Sequence, residues 1–246
     1  MTMQTHMFMG MYAPTDKLTL MVMLPYIRKE MDMLAFDGER FSTHSDGIGD
    51  VELRGVYRLF ETSDARHRFL LRGGIGLPTG SIDATMDGFQ LEYPMQLGSG
   101  TFSLLPGLAY IGQCLPWGWG ADFKSTIQLG TNDQDYRLGN RYQPSIWIAR
   151  RLANWVSVSV GGTGEIWENV HGADRRLFIS DQPTNDPNRQ GGTRLDAILG
   201  LTFHPQYGFL RHHQLMVQGE IPIVQSLDGP QLQRSWGLRF AWYFQF

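Results

Sequence analysis

A chain of 246 residues with 21 basic and 24 acidic side chains, 18% charged and 12% aromatic, is long enough for one sizeable core but poor in charge for a soluble domain. No stretch approaches the roughly 18 to 20 consecutive apolar residues of a membrane helix, which excludes a helical membrane protein. The net charge of -3 and the absence of a dense basic run give a nucleic-acid groove little support, and the single cysteine, Cys114, excludes an internal disulfide.

Taken in chain order, the residues alternate with period two, and sustained helical spacing is hard to find. Met1, Met3, Met7, Met9 and Met11 share one parity on a first strand, and Met21 and Met23 lie on the next. Val51, Leu53, Gly55, Tyr57 and Leu59 alternate with Glu52, Arg54, Val56, Arg58 and Phe60. Trp119, Ala121, Phe123, Ile127 and Leu129 alternate with Asp122, Lys124, Thr126 and Gln128. Further on, Leu195, Ala197, Leu199, Leu201 and Phe203 alternate with Arg194, Asp196 and Thr202, and Leu215, Val217, Ile221 and Ile223 with Gln214, Gln218 and Glu220. Such runs predict about eleven strands, centred near residues 7, 24, 54, 72, 106, 124, 145, 161, 198, 219 and 240. Short connections fall at Ala13–Asp16, Thr62–Arg66, Leu115–Gly118, Leu152–Asn154 and Pro205–Arg211, and longer ones near 37–47, 79–97, 131–139 and 171–192.

A meander with short turns at one end and long loops at the other is the plan of a transmembrane β-barrel of the outer membrane. A soluble barrel or sandwich also alternates, but its apolar residues point inward. Long strands, sparse charge, and aromatics gathered near predicted strand ends (Trp117, Trp119, Trp155, Trp236 and Trp242) favour the membrane barrel, with its apolar parity facing out. The ending SWGLRFAWYFQF fits this plan, because strict alternation runs to Phe246 with no polar tail. It resembles the C-terminal segment by which such barrels engage their assembly machinery, so Phe246 is the expected contact with that partner, as outer-membrane lipid is for the apolar set.

Residues 1–246 read as one barrel domain. No charged n-region followed by an apolar stretch opens the chain, and an odd strand count cannot close antiparallel. The expectation is therefore that the natural protein carries a signal peptide and one further strand, about twelve in all.

The segments YAPTDKLTLMVMLPY, SDGIGDVELRGVYRLF, GIGLPTGSID, YPMQLGSGTFSLLPGLAYIGQ and DPNRQGGTRLDAILGL together resemble the MetA-pathway-of-phenol-degradation family of outer-membrane barrels, commonly labelled transporters. The resemblance covers nearly the whole chain and implies a channel or transporter, with aromatic hydrocarbons as suggested passengers. Its motifs are mostly turn and strand chemistry. In LPTG, Pro78 fixes its own backbone angle and Gly80 tolerates a positive one.

If the apolar parity faces lipid, the charges projecting into the lumen are Glu52, Arg54, Arg58, Arg68, Arg72, Asp122, Lys124, Glu165, Arg194, Asp196, Glu220 and Arg239. Hairpin register brings Asp196, Glu220 and Arg239 to a similar depth and predicts an ion network over the last strands. Two roles are open to it: stiffening a filled barrel, or forming a polar constriction. The methionines are soft ligands suited to Cu(I), which makes a copper-handling barrel the runner-up function. Polar-inward logic, however, points Met3, Met7, Met9 and Met11 at lipid or a neighbouring strand, leaving His6, Met21 and Met23 as the weak metal candidates. His67 lies on an outward face without an evident Ser partner, and no catalytic motif or cofactor signature appears, so the expectation is a non-enzyme without cofactor.

Overall fold

The computed structural model describes residues 1–34, 40–180 and 182–245. The chain is carried by β1 Thr2–Thr15, β2 Leu18–Leu34, β3 Arg40–Ile48, β4 Val51–Glu61, β5 His67–Leu77, β6 Gly107–Cys114, β7 Trp117–Gln128, β8 Arg141–Ala153, β9 Val156–Trp167, β10 Gly192–Phe203, β11 His213–Leu227 and β12 Gly237–Phe244. Every pairing among them is antiparallel and follows chain order, except that β2 pairs with both β3 and β4. Among the described residues no register joins β1 to β12, so the path runs open from one to the other.

All eleven predicted strands are present, one of them divided, and one expected loop contains a further strand. The strand centred near 106 divides into Ser103–Leu104 and β6. Pro106, which has no N–H to give a ladder, lies between them, and its carbonyl accepts from the backbone of Ser125 instead. The stretch near 37–47, expected as a loop, contains β3. It runs in line with β4: β3 pairs with the far half of β2, Tyr26 to Leu34, and β4 with the near half, Leu18 to Met23. Its buried positions are Thr43 and Ser45, so the apolar alternation that betrays a half-buried strand is missing there.

The apolar parity faces out, as a membrane barrel requires. Leu199 is 61% and Phe240 66% exposed, whereas Asp196 and Glu220, on the other face, are 3% and 5% exposed. A soluble sandwich would reverse this pattern. At the short-turn end the outward side chains form an aromatic group. The Phe69 and Tyr110 rings lie 4.9 Å apart, and the Tyr110 hydroxyl is 2.8 Å from His67 Nδ1 and accepts from Trp119 Nε1 at 3.3 Å. Amphipathic rings of this kind suit a membrane boundary. The expectation resting on Phe246 falls outside the described residues.

The buried apolar core lies in the long connections. Leu91 and Met95 pack on Met31 of β2, and Tyr93 packs with Tyr136 and Val170. The connections are also stitched together by backbone pairing, since Tyr136–Arg137 ladders with His171–Gly172. They therefore form an ordered cap at the long-connection end.

Candidate functional site

The cap is fastened by the motifs that carry the family resemblance. Asp50, between β3 and β4, accepts from Gly80 N at 2.9 Å, Ser99 N at 2.8 Å and Ser99 Oγ at 2.6 Å. Thr79 Oγ1 donates to Gly49 O and accepts from Val51 N, both at 2.9 Å. The GIGD, LPTG and LGSG segments are thus three sides of one clamp. Gly80 is not in the positive-φ region expected for it. Its reason is close approach: a Cβ on Gly80 or Gly98 would overlap the other's backbone.

From this clamp the segment 91–97 runs over the inward face of β2 and β3. Buried Lys29 donates through Nζ to Pro94 O at 2.8 Å and Gln96 O at 2.5 Å, and Ser45 Oγ donates to Met95 O at 2.6 Å. On its far side the cap holds Asp174, whose two oxygens take Arg176 Nε at 2.9 Å and Nη2 at 2.7 Å. The Asp174 and Asp83 carboxylates hold the Arg176 guanidinium firmly protonated, and burial raises the phenols of Tyr93 and Tyr136 above their ordinary range. Glu92 is the ionisable exception in this cap, where Asn185 Oδ1 is also without a partner among the described residues. Glu92 is buried, its carboxyl oxygens have no hydrogen-bond partner on any other of the described residues, and burial raises its pKa against a smaller lowering by its own backbone N–H.

The sheet face opposite the apolar set carries paired charges along its depth. Near the short turns Glu61 takes both Arg58 and Arg68, at 2.5 and 2.6 Å. At mid-depth Asp122 takes Arg72 at 2.5 Å and Lys124 at 3.3 Å, and toward the long connections Glu52 takes Arg54 at 2.7 Å. A continuous chain then crosses β8 to β12. Arg141 and Arg194 hold Glu165 at 3.1 and 2.5 Å, Arg194 and Arg234 hold Asp196 at 2.9 and 3.2 Å, and Arg234 and Arg239 hold Glu220 at 2.6 and 2.8 Å.

Every candidate charge named from sequence takes part in one of these groups, but the predicted trio of Asp196, Glu220 and Arg239 is joined differently. Arg239 forms an ion pair with Glu220 and none with Asp196. Arg234, from the connection after β11, bridges the two acids. Sequence reasoning missed it because strand parity says nothing about a loop residue, and it missed Arg141 and Glu61 at strand ends.

The expectation for Met3, Met7, Met9 and Met11 is reversed, while Met21 and Met23 keep the inward side expected of them. Met9 pairs with Met23 and Met11 with Met21, and Met21 and Met23 pair in turn with Arg54 and Glu52. Partners across a ladder point the same way, so these thioethers share the inward face with the charges. His6 pairs with Tyr26 on the other face, so His6, Met21 and Met23 do not assemble as a metal set. The reason is that Phe8 and Tyr12, with the parity of His6, take the outward row of β1. Flexible, polarisable methionine tolerates the inward side.

Trp147 is an inward residue that sequence reasoning did not single out. It pairs with Gly120 on β7 and Gly161 on β9, and a Cβ at Gly120 would collide with its indole. The ring lies over the bare backbone of Gly120, with 37% of the residue still exposed. Glycines inside otherwise regular strands were the available signal, because they mark close approach.

A family model described as "Putative MetA-pathway of phenol degradation" matches residues 5–208. The crystal structure of an outer membrane channel from Pseudomonas putida F1 is similar with a TM-score of 0.65 at 14% identity, over 97% of this chain and 80% of that one. That identity speaks for the fold. No curated protein sequence matches the chain significantly. With the family model spanning most of the chain and the apolar parity turned outward, the chain belongs to the "Putative MetA-pathway of phenol degradation" family and is a transmembrane β-barrel of the bacterial outer membrane.

Proposed function

We propose that this barrel is a passive channel that lets small solutes diffuse across the outer membrane through an interior lined with paired charges. The observation that carries the reading is the distribution of those pairs. They occur near the short turns, at mid-depth and toward the long connections, and they leave basic groups such as Lys124, Arg141 and Arg239 accessible. An inert filler would satisfy these groups out of reach of water. The family's description and the channel from Pseudomonas putida F1 support the same reading, and the reference to phenol degradation favours aromatic cargo. His67, the histidine singled out from sequence, faces outward, and its ring meets the Tyr110 hydroxyl rather than a serine.

One observation favours a second reading, a barrel closed by its own cap, because segment 91–97 lies against the inward face of β2 and β3. Planar-bilayer recording of the purified full chain separates the two. The channel reading expects discrete conductance steps in wild type, larger when residues 83–95 are replaced by a short Gly-Ser linker. Silence in both proteins, at every voltage, overturns it in favour of the closed barrel.

A further inference from the structure

Resting on the channel reading, we infer that the interior selects small organic anions with a flat apolar body, an aryl carboxylate being the simplest probe. The first observation is which partner of each ion pair meets solvent. The Glu165 side chain is 8% exposed beneath Arg141 at 54%, and Glu220 is 6% exposed beneath Arg239 at 60%. Asp122, 12% exposed, lies beneath Lys124 at 46%. Among the inward pairs the base is the more exposed partner throughout, Arg54 with Glu52 excepted. The acids hold the cations in place, and the cations face the passage. Although the chain is net negative, its accessible inward charge is positive, and pores lined by Arg and Lys favour anions.

The second observation concerns the body of the passenger. Trp147 offers a flat ring inside the barrel, fixed against Gly120. Asp122, with Arg72 and Lys124 bound to it, lies two residues along the same strand from Gly120, about 7 Å away on the same face. An anion whose charge rests on Lys124 can therefore lay an aromatic ring on the indole. The inward wall of β1 and β2 has no charged residue from Met3 to Met11 or from Met21 to Met23. It presents thioethers, which make favourable contacts with aromatic edges. A hydrated inorganic anion uses only the cations. An aryl anion uses the cations, the indole and the thioethers together.

The test is planar-bilayer recording of the full chain under a KCl gradient, followed by potassium benzoate and potassium acetate on one side. The expected reversal potential has the sign of chloride, and benzoate occupies the pore about fivefold more strongly than acetate, the worth of one stacked aromatic pair. Arg141→Gln with Arg239→Gln should move the reversal potential toward potassium. Trp147→Leu should abolish the distinction between benzoate and acetate. Because Trp147→Leu also bares Gly120, Lys124→Gln serves as a second variant, expected to weaken both organic anions. Conductance that prefers potassium, or benzoate and acetate that behave alike in wild type, overturns the inference while leaving a channel. Absence of conductance overturns the channel reading itself.

Discussion

Arg234 lies 2.6 Å from Glu220, although fourteen residues of strand end and connection separate them in sequence. The chain doubles back to achieve this. Gln225 clasps the Arg234 backbone from both sides, donating to its carbonyl at 2.8 Å and accepting from its N–H at 2.9 Å. That placement makes Arg234 the joint of the inward network, since it also holds Asp196. Arg239 occupies the solvent side of Glu220 and shares that acid with Arg234.

The two arginines should therefore respond differently to truncation. Arg234→Ala removes one of the two cations on each of two buried carboxylates and is expected to destabilise the barrel by about 3 kcal/mol, at roughly 1.5 kcal/mol for each bond to a charged group. Arg239→Ala leaves Glu220 paired and should cost less than about 1 kcal/mol, as exposed pairs do. Urea unfolding in lipid vesicles, followed by tryptophan fluorescence, measures both. Equal losses would show that the network has no joint.

The fold was legible because membrane strands write their orientation into every second residue. Leu199 and Phe240 are on the lipid side and Asp196 on the other, as alternation requires. Alternation also put the candidate charges on the face opposite the apolar row, where each forms an ion pair. It could not say which charge meets which. Arg239 was matched to Asp196 by depth along the strands, whereas Asp196 is held by Arg194 of its own strand and by Arg234, which arrives from a loop. Nor could it orient β1, where methionine on one parity and Phe8 and Tyr12 on the other are all apolar, and only the register against Arg54 and Glu52 through β2 decides the side. Trp147 escaped notice for a related reason: the feature that places it is the missing side chain of Gly120, on a strand more than twenty residues away.

The lipid-facing assignment has a direct consequence for Leu199, in mid-strand and opposite Val160 and Gly219 on its neighbours. An arginine there would stand in hydrocarbon, at a cost of about 2–4 kcal/mol near the midplane. Leu199→Arg should lower the urea midpoint of the vesicle-embedded barrel by that amount, whereas Leu199→Val should leave it nearly unchanged. A tolerated arginine would contradict the outward orientation of β10.

Glu92 gives the cap a pH dependence whose direction is fixed. Burial raises its pKa above the ordinary 4.5, its own backbone N–H offsetting only part of the effect, so the folded cap holds the proton to higher pH than the unfolded chain does. Its contribution is fully present below the unfolded value and is lost as pH rises through the folded one. The cap should therefore tighten on acidification. Glu92→Gln keeps the shape and cannot ionise, so it should stabilise the cap at pH 7 by on the order of 1 kcal/mol. Amide hydrogen exchange over residues 78–102 from pH 4 to 8 is the measurement. Protection that rises with pH in wild type, or a variant with the wild-type profile, would show that Glu92 ionises without cost.

Asp50 is expected to govern whether the cap stays down. Its carboxylate gathers Gly80 N and Ser99 N with the Ser99 hydroxyl, and charge-assisted bonds of this kind are stronger than neutral ones. Both ends of the 80–99 segment are thus tied to a single side chain at the break between β3 and β4. Asp50→Ala leaves three donors to find water, and the expected loss is about 3 kcal/mol, at roughly 1 kcal/mol for each bond. The loss should be local, because β3 and β4 keep their own ladders with β2. Limited proteolysis of vesicle-embedded protein should then cut between residues 80 and 99 in Asp50→Ala but not in wild type, while the urea midpoint of the barrel moves little. Bilayer recording of the same variant should show larger conductance steps, because the released segment carries Pro94 and Gln96 away from Lys29 on the inward face. An intact segment, or a cut segment with unchanged steps, would separate the cap from control of the passage.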